Sequence, residues 1–349
     1  MAKKKDLVVG IDIGTHSVKI CQLQPTGRDG YRLVSAGSAV IPGEAVEDGD
    51  LKAPEEVGKI IGALLKNLNI KSKKVGISIS GYSVIVKKIN LETMGDEELD
   101  KYIRAEAEQY IPFDANEVYL DFQRLPSKKP DPDRQDVLLV AAKKEVVNHY
   151  LDMLGDLKLA PTLVDVDGFA LTNIWQTIVG QDINAALIDI GASKMNINII
   201  SDGVSVVARD VAVGSEQLTN QIAVALDVDY DEAEKVKLGA MAAPEYEEKI
   251  HNIFNKVCGQ WVAEIKKATD LYRSNSSKRP LESIVLSGGG AKVAGLVDYI
   301  GREIDLPVSV FNPFERMQVD DKKFDRQYLS MLGPEMAIAA GLAIRPTIV

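Results

Sequence analysis

The strongest constraint on this 349-residue chain is a short sequence that occurs twice. The run Val8-Val9-Gly10-Ile11-Asp12-Ile13-Gly14 ends in Asp-x-Gly. Thr15, His16 and Ser17 follow, and then a second apolar run (Val18, Ile20, Leu23) in which Lys19 is embedded. That pattern reads as a strand, a tight turn and a returning strand, with the acid at the end of the first strand. Much later, Ala186-Leu187-Ile188-Asp189-Ile190-Gly191-Ala192-Ser193 repeats Ile-Asp-Ile-Gly with a hydroxyl two residues on. It opens an alternating strand, Met195 to Ile200, then a Ser201-Asp202-Gly203 turn and a further strand. One such unit reads as a β-hairpin with a polar turn; two imply an internal duplication of one architecture. A third element, Ile284-Val285-Leu286-Ser287 followed by Gly288, Gly289 and Gly290, is a buried strand entering a glycine turn before a helix.

These loops have a common chemistry. Gly14 lets backbone approach a bulky anion, and the N–H groups of Thr15, His16 and Ser17, with the hydroxyls of Thr15 and Ser17, can cradle phosphate. Lys19 adds a point charge to the phosphates. Gly191, Ala192 and Ser193 would do the same for a second phosphate. Lys194 reads equally as a phosphate contact or as an exposed strand-edge lysine. Two loops of this kind make a clamp from opposite walls of a cleft, where Asp12 and Asp189 would repel each other unless a cation lay between. Mg²⁺ held by both is the reading favoured over Asp189 capping its own turn. The bare Gly288-Gly289-Gly290 turn leaves room for a flat base and ribose.

Composition sets the outer bounds. The length suits two or more domains, and 51 acidic against 41 basic residues give a net charge of −10, which disfavours nucleic acid as the main partner. Lys3-Lys4-Lys5 reads as a solvated terminus. The two cysteines, Cys21 and Cys258, lie in a strand and a helical pattern and are expected to be buried and inert. No apolar run approaches the roughly 20 residues that cross a bilayer and no signal peptide leads the chain, so a cytoplasmic protein is expected. Along the chain, strands are expected over 33–40 and 75–79, with a helix opening at Pro54 between them. A compact α+β stretch follows: strand Val84–Leu91, helix Asp96–Tyr110, strands Val118–Leu125 and Val137–Ala142, and helix Lys144–Leu154. A mobile Pro- and charge-rich hairpin loop, Ser127–Arg134, interrupts it. Helices are expected over Gly214–Leu226, Tyr230–Lys237 and Glu245–Ser274, after Gly290, and over Glu335–Ile344. The small residues of the last imply close helix approach across a hinge.

Asp-x-Gly, Asp-x-Gly and Gly-Gly-Gly in this order resemble the actin, heat-shock-protein-70 and sugar-kinase superfamily. Within it, "GIDIGTHSVKI", "VDVDGFAL", "AEKVKLGA" and "EMAIAAGLAIR" resemble the PilM family, cytoplasmic actin-like proteins of type IV pilus assembly related to the cell-division protein FtsA. The resemblance spans essentially the whole chain. It implies an α/β actin-like ATPase fold with two duplicated domains around a nucleotide cleft: residues 1–83, 157–182 and 333–349 as the core of the first, and 183–214 with 281–332 as the core of the second. Residues 84–156 would be the inserted α+β subdomain of FtsA and PilM, and 215–280 a helical subdomain. It further implies ATP or ADP with Mg²⁺ as ligands. Glu234 and Lys237, three apart on one helical face, would contact ribose and base, against the plainer reading of a surface ion pair. Glu264 and Lys267 repeat that spacing and read as a surface pair. Asp167 stands where relatives place a water-orienting acid or amide, but its arm is shorter than the usual glutamate, so at most slow hydrolysis is expected; it could also cap the helix at Phe169. The implied partner is the cytoplasmic N-terminal peptide of PilN, docking between the first domain and the inserted subdomain. Other pilus platform proteins, motor ATPases and self-association are further possible partners, and attachment to the inner membrane would be peripheral, through partners. A filament former like FtsA and a small-molecule kinase are the alternatives.

Overall fold

A computed structural model describes residues 7–27, 30–125, 132–275 and 279–346. The Lys3-Lys4-Lys5 run and Ser127 to Asp131 of the expected loop lie outside the described residues.

The first lobe opens with β1 (Val9–Ile13), β2 (Ser17–Pro25) and β3 (Tyr31–Val40), a small hairpin of β4 (Val46–Glu47) and β5 (Asp50–Leu51), helix α1 (Pro54–Asn67) and strand β6 (Lys74–Ile79). Pro54 starts α1 where a missing N–H does no harm, with Glu55 and Glu56 in the first turn and Lys66 in the last, as the helix dipole favours. Its apolar stripe buries Val57, Ile61, Leu64 and Leu65. A three-stranded unit follows, from β7 (Val84–Glu92), α2 (Asp96–Glu106), β8 (Val118–Arg124) and β9 (Arg134–Lys143), in the order β7-β9-β8, with its own core around Leu99, Ile103, Val137 and Leu139. The next helix, α3 (Lys144–Asp156), turns away from that sheet. Val146, Val147, Tyr150, Met153 and Leu154 bury into the first lobe's core instead. Strand β10 (Ala160–Val166) then completes a five-stranded sheet β10-β6-β1-β2-β3 and leads into α4 (Asp167–Val179).

The second lobe repeats the plan. It comprises β11 (Ala185–Ile190), β12 (Met195–Ser201), β13 (Val204–Val211), helices α5 (Glu216–Leu226), α6 (Tyr230–Lys237) and α7 (Glu247–Asn275), then β14 (Ser283–Ser287), α8 (Leu296–Ile304) and β15 (Val308–Val310), in a sheet ordered β13-β12-β11-β14-β15. In both sheets the first strand pairs antiparallel with its hairpin partner on one side and parallel with a later strand on the other. The chain ends with α9 (Arg326–Leu332) and α10 (Ala337–Ala343).

Several boundaries differ from the sequence reading. Gly288 to Gly290 lead into a 3₁₀ turn, Gly289–Lys292, and α8 begins only after Gly295, whose φ of +77° breaks the chain. Gly333–Met336 is likewise a 3₁₀ turn containing Pro334, so α10 starts at Ala337. The helix expected over Asp96–Tyr110 stops at Glu106 and tightens into a 3₁₀ turn over Ala107–Gln109.

Helices α4 and α10 lie together between the lobes. One core cluster joins Ala170, Leu171, Ile174 and Trp175 of α4 and every residue of α10 but Gly341 to Cys21 and Leu33 of the first sheet and Leu187, Ile200 and Val285 of the second. The approach is close because there are no side chains at two points. A Cβ on Gly341 would stand 1.9 Å from the Ala170 carbonyl oxygen, and one on Gly10 would stand 2.0 Å from that of Ala339. This is the close helix contact expected from the small residues of the last helix.

Candidate nucleotide cleft

The two Asp-x-Gly turns come to one cleft, and their geometries match. In the first, Asp12 pairs with Lys19 and Ile13 with Val18, and the Gly14 N–H donates to the Ser17 carbonyl at 3.1 Å. In the second, Asp189 pairs with Asn196 and Ile190 with Met195, and the Gly191 N–H donates to the Lys194 carbonyl at 2.9 Å. Asp12, Gly14, Thr15, His16, Ser17 and Lys19 line the cleft from one wall, and Asp189, Gly191, Ala192, Ser193 and Lys194 from the other. The second turn also seats α5, since the Ser215 and Glu216 N–H groups donate to the Gly191 and Ala192 carbonyls at 2.9 and 3.0 Å.

The acids are compensated in different ways. Asp12 is buried, which raises its pKa, but the Lys19 ammonium 3.4 Å away opposes that rise. Asp189 accepts a hydrogen bond from Ser287 at 2.7 Å, yet burial and the charges of Asp12 and Asp167 still push it up to about 6. Asp167 is also buried, but the Lys194 ammonium 3.2 Å away and the hydrogen bonds it accepts outweigh that, holding it below the usual carboxylate range. Rather than capping α4 from outside, Asp167 is the helix's first residue.

The three glycines have separate tasks. Gly288 adopts φ +82°, and a Cβ there would stand 2.4 Å from the Ile190 carbonyl oxygen; one on Gly290 would stand 2.3 Å from Ile190 Cγ2. Gly288 and Gly289 line the cleft, while Gly290 lies behind its wall against Ile190. Only Gly289 of the three has open space where a side chain would go. Glu234 and Lys237 of α6 form an ion pair inside the cleft: Lys237 Nζ is 2.6 Å from one carboxylate oxygen and 2.8 Å from the other, and also donates to Thr219 Oγ1 at 2.9 Å. Burial lowers the Lys237 pKa against the pull of Glu234. The similarly spaced Glu264 and Lys267 pair on the exposed side of α7, away from the cleft.

Sequence reasoning passed over Ser80, Asn196, Asp210, Tyr230, Lys292 and Glu335, all of which line the cleft. Two of them carried a signal. Ser80-Gly81 ends an alternating strand much as the glycine turns do, and Asn196 stands seven residues after Asp189 as Lys19 does after Asp12. Among the described residues no three His, Cys, Asp or Glu side chains are grouped to hold a metal. Asp12 and Asp189 both line the cleft, and one or two carboxylates are what a hydrated, phosphate-bound Mg²⁺ usually takes from a protein.

Among the described residues no helix is long and apolar enough to cross a membrane. The solved PilM–PilN type IV pilus biogenesis complex contains a chain 26% identical to this one, with TM-score 0.86, covering 99% of this chain and 100% of that one. MreB5 of Spiroplasma citri, solved with AMPPNP, is 12% identical with TM-score 0.52, covering 97% and 95% of the two chains. The cell division protein FtsA of Borreliella burgdorferi is 21% identical, covering 94% of this chain and 90% of its own. The family model described as type IV pilus assembly protein PilM matches residues 10–347. With the duplicated sheets and facing turns, these matches establish that the chain has an actin-like ATPase fold and belongs to the PilM family of type IV pilus assembly proteins.

Proposed function

We propose that this protein is an ATP-binding scaffold of the type IV pilus assembly platform. In this reading ATP, or ADP, lies between the two Asp-x-Gly turns, and the bound nucleotide sets the surface shown to partners. The observation that carries it is the pair of facing turns, each closed by the same glycine N–H bond. Phosphates would be held by the turn N–H groups, Lys19 and Lys194; base and ribose by Gly288, Gly289, Glu234 and Lys237; and Mg²⁺ by Asp12 and Asp189. Bound there, Mg²⁺ would offset phosphate charge. Seven acids (Asp12, Asp48, Asp167, Asp189, Asp210, Glu234 and Glu335) line the cleft against four lysines (Lys19, Lys194, Lys237 and Lys292), so a polyanion needs such an offset. Asp167 is the group offered for orienting water. Its carboxylate is already engaged by Lys194 and Ser80, which supports slow turnover.

The partner in this reading is the N-terminal peptide of PilN, lying between the first lobe and the β7-β9-β8 unit; the likeness to the solved PilM–PilN complex supports it. The protein would be cytoplasmic and held at the inner membrane through that partner. Calorimetry with ATP and a synthetic PilN tail tests both parts. The expected result is ATP binding that is lost on chelating Mg²⁺ and in Asp12→Ala and Gly289→Val, with the variants still folded. Retention of ATP by Asp12→Ala would refute the site, and no uptake of the peptide would refute the partner.

A further inference from the structure

The end of the first sheet that lies away from the cleft is basic, although the chain as a whole carries a net charge of −10. Strands β1, β6 and β10 run parallel and all enter the sheet at that end, where Val9 pairs with Val75 and Ala160 with Lys74. The cleft lies where the same strands leave the sheet, at Asp12, Ser80 and Asp167, about 20 Å away along β6. The turn from α1 into β6 meets the turn from α3 into β10 at the basic end, and the Ala160 N–H donates to the Lys73 carbonyl at 2.7 Å. Together the two turns carry Lys66, Lys71, Lys73, Lys74 and Lys158. All five are exposed, and none forms an ion pair among the described residues. Residues 67–74 include no acid, and α3 brings Asp152 and Asp156. Residues 1–6, joined to this end through Leu7, add three lysines and one acid. The helix dipole accounts for a lysine in the last turn of α1, Lys66, but not for Lys71, Lys73 and Lys74 beyond it. Lys158 has a further peculiarity. It takes the left-handed position just past α3, with φ +57°, where the ends of α1, α5 and α8 have Asn69, Asp227 and Asp305. Asn, Asp and Gly reach that conformation more readily than lysine does, so a cation is kept here against the preference of the backbone.

We propose that this end of the first lobe docks on the anionic lipid surface of a bilayer, held there by the five lysines without insertion. The inference is independent of the nucleotide and peptide readings and gives the protein a membrane contact of its own. Charge complementarity carries it. Each lysine close to an anionic leaflet strengthens attachment about five-fold. Asp152 and Asp156 offset two of the five, which leaves about 100-fold from the remaining three. The seven acids of the cleft, about 20 Å off, lie beyond the Debye length of about 8 Å and are screened from that surface. Nucleic acid is the other polyanion that lysines could meet. Single strands are bound with aromatic side chains on which bases stack, and neither 66–74 nor 152–160 contains one, so the lipid surface is favoured.

Co-sedimentation of the full chain with lipid vesicles tests this, with neither nucleotide nor partner added. At about 0.1 M salt the protein is expected to bind vesicles containing about one third phosphatidylglycerol about 100-fold better than vesicles of phosphatidylcholine alone, and to let go at about 0.5 M salt. The triple variant Lys71→Gln, Lys73→Gln, Lys74→Gln is expected to lose about 100-fold. Its control is Lys235→Gln, Lys256→Gln, Lys267→Gln, which removes the same charge from exposed positions of the second lobe and should bind as wild type does. Lys158→Asn separates the lipid contact from the fold. Its urea midpoint should rise as the left-handed position is relaxed, while vesicle binding falls about five-fold. Equal losses in the two triple variants would reduce the effect to net charge and overturn the proposal. Equal binding to both kinds of vesicle, or binding to neither, would also overturn it. So would capture of a short DNA duplex by Lys71, Lys73 and Lys74 without vesicle binding, which would assign this end to nucleic acid.

Discussion

Gly341→Ala sets two physical effects of opposite sign against each other. Alanine is the better helix former by about 1 kcal/mol, so propensity alone makes this substitution within α10 stabilising. The structure puts the new methyl 1.9 Å from the Ala170 carbonyl oxygen and 2.5 Å from its carbon, both backbone atoms of α4. Ordinary contact would require α10 to withdraw by about 1–1.5 Å, and a gap of that order forfeits roughly half of the dispersion energy along the contact. Ile338, Ala340 and Leu342 are all buried in that packing. Overpacking against an immovable partner costs about 3 kcal/mol, so the net loss is about 2 kcal/mol, a large share of the roughly 5–15 kcal/mol that holds a domain folded. Urea denaturation of the nucleotide-free protein reads it as a lower midpoint. Gly62→Ala is the control: it also lies in a helix, α1, but its methyl would rest 3.7 Å from the Leu157 side chain, so the midpoint should rise. A Gly341→Ala protein as stable as wild type would refute the close contact between α4 and α10.

Two further outcomes follow from burial. Glu234→Ala is expected to destabilise the protein by about 2–3 kcal/mol and Lys237→Met by less, in the same urea assay. The lysine side chain is only 3% exposed against 28% for the glutamate, so an orphaned glutamate reaches water and an orphaned lysine does not; equal losses would sink that asymmetry. Burial pushes the Cys21 thiol well above its usual range and that of Cys258 up to about 12, so neither should react with a thiol reagent at pH 8 until the protein unfolds. Labelling of the native protein at the rate of a free thiol would contradict the packing around them.

What was legible in the sequence was what repeats or alternates. Ile-Asp-Ile-Gly announced two equivalent turns because a strand end needing an acid, a glycine and small hydroxyls has few spellings, and the buried strands around them are nearly continuous apolar runs. Long-range partnership was not legible. Lys194 was left between phosphate and solvent because nothing in its neighbourhood reveals that Ser80 and Asp167, from distant segments, converge on it. Asp210 was passed over as an ordinary strand residue, although its two oxygens join Asn196 to the backbone of Gly81. The packing of α3 was hidden for a similar reason. Its apolar stripe is as suited to one sheet as to another, and only the fold sends Tyr150 and Leu154 toward α1. Helix ends slipped where a 3₁₀ turn intervened, since Gly295 and Pro334 interrupt helices without altering the apolar pattern on either side.

The twin acids show how such a partnership changes an argument. From sequence, Asp12 and Asp189 facing each other demanded a cation, because two carboxylates at close range repel. In the folded chain the demand is partly met from within: Lys19 stands against Asp12, Ser287 against Asp189, and Lys194 against the third acid, Asp167. Repulsion between Asp12 and Asp189 therefore no longer argues for Mg²⁺ on its own. What would support it, on the proposed nucleotide reading, is the cleft's own lining: seven acids stand there against four lysines, so a polyanion bound among them would call for a divalent ion to offset its charge.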